Sequence, residues 1–346
     1  LIKLHHQSNF EEIYKLTIHD IEKYKNDFIS LKIISNSALK TENYVDSIRI
    51  ANLALELIKN DIDIHNIIAT SYSKTSEHVE ALKILKKSYS LDKKNITTIN
   101  LLGITYLNLN YLIEAKETFE KLINLDPLST NGIYNLALVY FNLQKFKQAE
   151  KYILKLLESN KENDEANLLL AMCQKELGKN ELSLQNFKKL LEKHPNNDEL
   201  LYNIGKIYEV TNYIDLAKKF FKKAILTNSA KEDYFNALGV CLYNNNELKD
   251  AEEVYLSTAK KFPNSKYVFH NLGILYYDFN NFDKALKFLD KNLVINPNDA
   301  NSKFVKSTIY LAQGNFDVGW EYYKWRIQGK YYKNEFTLQF TKKRLL

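Results

Sequence analysis

ITTINLLGITYLNLNYLIEAKETFEKLINLDP, residues 96–127, and KYVFHNLGILYYDFNNFDKALKFLDKNLVINP, residues 266–297, align end to end without a gap. Both close on a proline, and the chain's four prolines, Pro127, Pro195, Pro263 and Pro297, stand 68, 68 and 34 residues apart. Proline lacks the N–H and crowds the carbonyl four residues back, so it marks where a helical segment has ended. A fixed interval of 34 means a repeat architecture. Setting each proline at position 32 of a 34-residue unit gives windows starting at 28, 62, 96, 130, 164, 198, 232, 266 and 300.

The windows share a pattern of size rather than of identity. Position 8 is small, as Gly103, Ala137, Ala171, Gly205, Gly239 and Gly273, and so is position 20, as Ala81, Ala115, Ala149, Ala217, Ala251 and Ala285. Position 11 is a ring, as Tyr72, Tyr106, Tyr140, Tyr208, Tyr276 and Tyr310. Positions 4, 7, 8 and 11 fall on one helical face, so small residues let two helices of a unit approach while large ones fill the space between units. Asn-rich stretches such as Asn244-Asn245-Asn246 and Asn280-Asn281 separate the helices, because asparagine tolerates left-handed backbone.

This spacing, with Leu102-Gly103, Tyr106, Ala115, Phe119 and Pro127 in one window, resembles the tetratricopeptide repeat family over residues 28 to about 333. The resemblance implies an all-α fold: a right-handed superhelical solenoid of antiparallel helix pairs. Pentatricopeptide repeats run at about 35 residues, and that period would drift out of phase here. The expected organisation is a partial repeat or capping helix over 1–27, eight units over 28–299, a divergent capping repeat over 300–333 and a tail over 334–346. In the last window Gly319 replaces the alanine of position 20 and both tryptophans, Trp320 and Trp325, follow. The stretch Gly314-Asn315-Phe316-Asp317-Val318-Gly319-Trp320-Glu321-Tyr322-Tyr323-Lys324-Trp325-Arg326 is similar to the closing repeat of bacterial tetratricopeptide proteins that continue into a glycosyltransferase domain. An aromatic cap sealing the last core face accounts for the same residues.

Composition supports a packed helical protein: 45% hydrophobic and 26% charged residues, with 9 Gly and 4 Pro in 346 residues. No apolar run reaches the roughly 20 residues of a membrane span, and the start carries no secretory hydrophobic stretch, so no membrane insertion is expected. Cys173 and Cys241 occupy the same phase two units apart, too far for a disulfide, and read as small buried apolar residues in a reducing, cytoplasmic setting. The only methionine is Met172, which leaves open a leader ahead of Leu1. The seven histidines form no zinc-like spacing, and no metal or other cofactor is implied.

Function is expected in the groove that the resemblance implies, lined by the first helix of each unit at positions 2, 5, 6, 9, 12 and 13. Asn135, Asn203 and Asn271 share position 6, and Asn66, Asn100 and Asn236 stand one position earlier. A carboxamide donates and accepts, so a row of them can hold an extended peptide by its backbone. The three at position 6 resemble the asparagine ladder in the tetratricopeptide arm of nucleocytoplasmic O-linked sugar transferases. Tyr134, Tyr202, Tyr243 and Tyr277 are expected in the same groove, adding apolar surface with a polar tip. Ordinary placement of 24 tyrosines and many asparagines explains these residues equally well.

Other partners fit less well. Lys32 and Asn36 match the start of the family's carboxylate clamp, but Ile67, Thr97 and Leu101 follow where the clamp needs polar or basic residues. The net charge of +6 comes with paired lysines, Lys86-Lys87, Lys188-Lys189, Lys218-Lys219 and Lys222-Lys223, on second helices among glutamates. That is a solvated outer face, so nucleic acid is disfavoured. No phosphate loop, nucleophile elbow or zinc-protease motif is present. The expectation is a non-enzymatic scaffold for a peptide or protein partner, with the substrate-recognition arm of a larger glycosyltransferase as the alternative.

Overall fold

The computed structural model describes residues 1–265 and 267–327, and every regular element among them is helical. The tail expected over 334–346 lies outside the described residues, as does the end of the last window. Contacts divide the chain into Leu1–Ser183 and a second unit from Leu184 onward. The first begins with α1 (Ile2–His6), α2 (Phe10–Thr17) and a 3-10 segment (Ile18–Tyr24). There follow the pairs α3 (Phe28–Lys40) with α4 (Tyr44–Leu57), α5 (Ile62–Lys74) with α6 (His78–Leu91), α7 (Ile96–Asn108) with α8 (Leu112–Leu125) and α9 (Thr130–Asn142) with α10 (Phe146–Ser159). After α11 (Asp164–Glu176), α12 (Asn180–Lys193) carries the division. The second unit continues with α13 (Asp198–Val210) and α14 (Ile214–Thr227), α15 (Glu232–Asn244) and α16 (Leu248–Lys261), α17 (Val268–Asp278) and α18 (Phe282–Ile295), and α19 (Ala300–Ala312) and α20 (Phe316–Tyr323).

Two local devices set this rhythm. The residue at position 34 caps the next first helix: the side chains of Asp27, Asp61, Asn95, Ser129, Asn163, Asn197 and Asp299 accept backbone N–H groups that have no intrahelical partner. At position 15 the chain turns left-handed. Ser8, Glu42, Ser76, Asn110, Gln144, Gly178, Asn212, Asn246, Asn280 and Gly314 all have φ between 55° and 77°, each 34 residues from the next. The following residue closes the turn by donating to the carbonyl five residues back, as from Tyr111 to Tyr106 and from Tyr213 to Tyr208, both 2.8 Å.

The core lies between the helices of each pair. Ala81, Ala115, Ala149, Ala217, Ala251 and Ala285 are fully buried. At position 8 the glycines face a large residue at position 24: a Cβ on Gly103 would lie 2.7 Å from the Phe119 ring, and one on Gly205 would lie 2.7 Å from the Phe221 ring. Where position 8 is alanine, position 24 is aliphatic in two units, Ala69 with Leu85 and Ala137 with Ile153, each pair in one core cluster, while the unit of Ala171 has the buried Phe187 there. The tyrosines of position 11 bridge successive pairs. The Tyr140 hydroxyl donates to Glu120 Oε1 at 2.9 Å, and the Tyr276 hydroxyl donates to Glu252 Oε1 at 2.5 Å.

Candidate functional site

Within each unit the first helices form the closely packed side. In the first unit α3 meets α5, α5 meets α7, α7 meets α9 and α9 meets α11; in the second, α13 meets α15, α15 meets α17 and α17 meets α19. No comparable packing joins second helices among the described residues. Each row of first helices is therefore an inner wall, and the expected binding residues all lie on it.

The wall separates them into two kinds. A residue at position 5 is rotated about 100° from one at position 6, and that rotation turns it toward the start of the next first helix. Asn66 is buried there. Its Oδ1 accepts from Ser88 Oγ at 3.2 Å and Thr98 Oγ1 at 3.0 Å, and its Nδ2 has no partner. It is an interior joint between α5, α6 and α7, not part of an exposed track. Asn100 is half-buried with its Oδ1 buried and unpaired. Tyr134 is half-buried against the core around Ile133 and Leu169, which pushes its phenol pKa up. Asn135, one residue on, is half-buried as well.

In the second unit, Tyr202 packs its ring 4.9 Å from Tyr234 and 5.9 Å from Phe221, and burial raises its phenol pKa. Asn203 turns Nδ2 back onto the Glu199 carbonyl of its own helix at 2.9 Å. Tyr243 donates its hydroxyl across to Asp278, linking α15 to α17, and Tyr277 stacks obliquely on Phe282 at 6.0 Å. Asn236 and Asn271 are brought together: Asn271 Nδ2 donates to Asn236 Oδ1 at 2.7 Å.

That pair lines a cleft of about 420 Å³ with His270, Asn296, Asp299 and Asn301. Behind it runs a polar cluster that the sequence reading did not assemble. His270 Nδ1 lies 2.8 Å from Ser302 Oγ and 3.5 Å from Asp299 Oδ2, while Asn292 Nδ2 donates to Asp299 Oδ2 at 2.7 Å and Ser302 Oγ at 2.8 Å. Burial lowers the His270 pKa, and the Asp299 carboxylate opposes that shift. The same register positions, 5, 27 and 3, hold Asn66, Ser88 and Thr98 in the first unit. The signal was present in the sequence as hydroxyl and amide groups at positions that are elsewhere apolar, such as Leu122 and Leu156.

The apparent start of a carboxylate clamp is spent internally. Lys32 Nζ pairs with Asp61 at 3.2 Å and Asp63 at 2.6 Å, and its pKa is raised by those carboxylates against the effect of burial. Of the paired lysines, Lys86, Lys87, Lys188, Lys189, Lys219, Lys222 and Lys223 are exposed on second helices, and Lys218 pairs with Glu247 at 2.7 Å. Cys173 and Cys241 are buried, with thiol pKa values pushed up by burial to about 12 and about 11. Among the described residues, no helix is long and apolar enough to cross a membrane.

Models of the tetratricopeptide repeat match residues 96–127, 134–198 and 198–231. No curated protein matches the chain. Among solved structures, the fold is similar to that of a chain of the APC/C hetero-tetramer Cut9-Hcn1, with a TM-score of 0.55 and 17% identity, covering 83% of this chain and 56% of that one. This chain thus spans just over half of that protein's length. It is also similar to a tetratricopeptide repeat protein from Parabacteroides merdae, with a TM-score of 0.56 and 18% identity over 75% of this chain and 98% of that one. A third similar structure is PilW, a type IV pilus biogenesis factor, with a TM-score of 0.55 and 18% identity over 60% of this chain and 96% of that one. The matched segments share one phase with the helix pairs on either side of them, and residues 96–127 and 134–231 are tetratricopeptide repeats.

Proposed function

We propose that the chain is an interaction scaffold that holds an extended peptide segment of a partner protein along its rows of first helices. The observation that carries this reading is the makeup of those rows: half-buried, uncharged donors and acceptors, Asn135 in the first unit and Asn203, Asn236 and Asn271 in the second, beside half-buried tyrosines. Such groups bond a peptide main chain without selecting its side chains, and the rings cover its apolar parts. The charged groups are concentrated on the second helices, where Lys222 and Lys223 are exposed. This favours a peptide over a polyanion.

The test is selection of binders from a displayed peptide library against the intact chain, followed by affinity measurement on variants. Asn203→Ala combined with Asn271→Ala removes two carboxamides from one wall. At about 0.5–1.5 kcal/mol per lost hydrogen bond, affinity is expected to fall roughly five-fold or more. Selected peptides that bind both proteins equally well would end this reading, as would peptides that map to the second helices.

A further inference from the structure

In the cleft between α17 and the start of α19, two carboxamides of the wall are bonded to each other. Asn271 Nδ2 donates to Asn236 Oδ1 at 2.7 Å, and the pair keeps the carboxamide nitrogen of Asn236 and the carboxamide oxygen of Asn271 for a ligand, together with the second N–H of Asn271 and the second lone pair of Asn236. Donors and acceptors on two side chains bonded to each other complement a primary amide, which presents the inverse groups. The bond between the two side chains fixes that arrangement before any ligand arrives, which reduces the ordering cost of binding.

The rest of the cleft selects in the same direction. Val240 and Tyr267 supply apolar surface for methylene groups. Burial lowers the His270 pKa, and the charge facing it is the Asp299 carboxylate. Asp299 already accepts from the backbone of Asn301 at 3.2 Å and of Ser302 at 3.3 Å and from Asn292 Nδ2 at 2.7 Å. Its negative charge repels an acidic side chain. A volume of about 420 Å³ admits a long side chain with its flanking peptide units.

We propose that this cleft is a specificity subsite that takes the carboxamide side chain of a glutamine or asparagine in the bound peptide. The proposal rests on the peptide-scaffold reading above and adds to it one point at which sequence is read.

The experiment titrates the intact chain with four capped tripeptides, Gly-Gln-Gly, Gly-Glu-Gly, Gly-Lys-Gly and Gly-Ala-Gly. It follows the ring signals of His270 by NMR, assigned with His270→Gln. Gly-Gln-Gly is expected to saturate in the millimolar range, with the other three at least about five-fold weaker, as for a site whose buried groups lose their partners. Asn236→Asp keeps the acceptor for Asn271 and removes the outward donor; it is expected to abolish the glutamine preference at an unchanged melting temperature. Equal binding of the alanine and glutamine peptides would replace the subsite with main-chain recognition. Tighter binding of the lysine or glutamate peptide, or no shift at His270 with any of the four, would overturn the proposal. Those results leave the scaffold reading to be judged by the library-selected peptides, so the two fail separately.

Discussion

Gly205 stands so close to Phe221 that a single added methyl group would lie 2.7 Å from two carbons of the ring. Neither the ring, fully buried, nor the glycine, on a packed helix, has room to yield. Gly205→Ala is expected to cost about 1–3 kcal/mol through overpacking. Combining it with Phe221→Leu restores the Ala-with-Leu pairing that Ala69 and Leu85 already use, and is expected to recover most of that loss. Urea unfolding of the two single variants and the double variant checks both statements, and additive losses would contradict them.

The left-handed positions make a prediction of opposite sign. Glu42, Ser76 and Gln144 carry side chains at φ of 63°, 65° and 58°, where a Cβ is penalised. Glu42→Gly and Gln144→Gly are each expected to stabilise the protein by about 0.5–1 kcal/mol, the left-handed penalty less the added chain entropy of glycine. Gly178→Ala is expected to destabilise by about 1 kcal/mol although its Cβ would meet nothing within 4 Å, which isolates the backbone term. Denaturation midpoints measured on the three variants provide the check.

Asn66 separates an interior role from a surface one. Asn66→Ala leaves the Ser88 and Thr98 hydroxyls without their shared acceptor and opens a small void, at an expected cost of about 1–3 kcal/mol. Affinity for any library-selected peptide is expected to stay within about two-fold once the variant is folded. Thermal melts and binding titrations on one preparation test both halves.

His65 predicts acid sensitivity. It is fully buried, its Nδ1 sits 2.7 Å from the Asp61 carbonyl, and its Nε2 has no partner. Burial, with Lys87 adding to it, lowers its pKa below the ordinary 6.5, against the pull of Asp61. The unfolded chain therefore takes up this proton first as pH falls. Stability is full above about 6.5 and declines as pH drops through that value, until the folded histidine titrates too. Melting temperatures of the wild type between about pH 7.5 and 5.5 are expected to fall more steeply than those of His65→Gln. Equal slopes would show that His65 contributes nothing to the acid limb.

Which parts of this fold could be read in the sequence follows from which forces leave a residue-type signature. Close helix approach excludes all but small side chains, so Ala115, Ala149 and Gly273 announced the pairing directly. The left-handed turns stayed half-hidden, because the closing hydrogen bond holds Glu42 and Gln144 in a conformation their side chains do not favour; only asparagine members such as Asn246 and Asn280 showed. The row of first helices was legible as a set of helices but not residue by residue. Positions 5 and 6 are neighbours in sequence, and only packing reveals that Asn66 faces the next pair while Asn135 keeps part of its side chain accessible. The His270, Asn292, Asp299 and Ser302 cluster draws on three helices, and no local pattern joins residues that far apart.

The pairing of position 8 with position 24 stays inside one helix pair, and the left-handed residue lies between them. A cut placed before a first helix therefore severs no such pair. Removing residues 96–129 would join Asn95 to Thr130 and leave Gly103 and Phe119 to depart together, with Ala137 and Ile153 intact behind the new joint. A cut whose length is not a multiple of 34 residues would put a helix start where a turn is required. The chain can be shortened or extended by inheritance only in whole repeats, and the length of its rows of first helices changes in discrete steps.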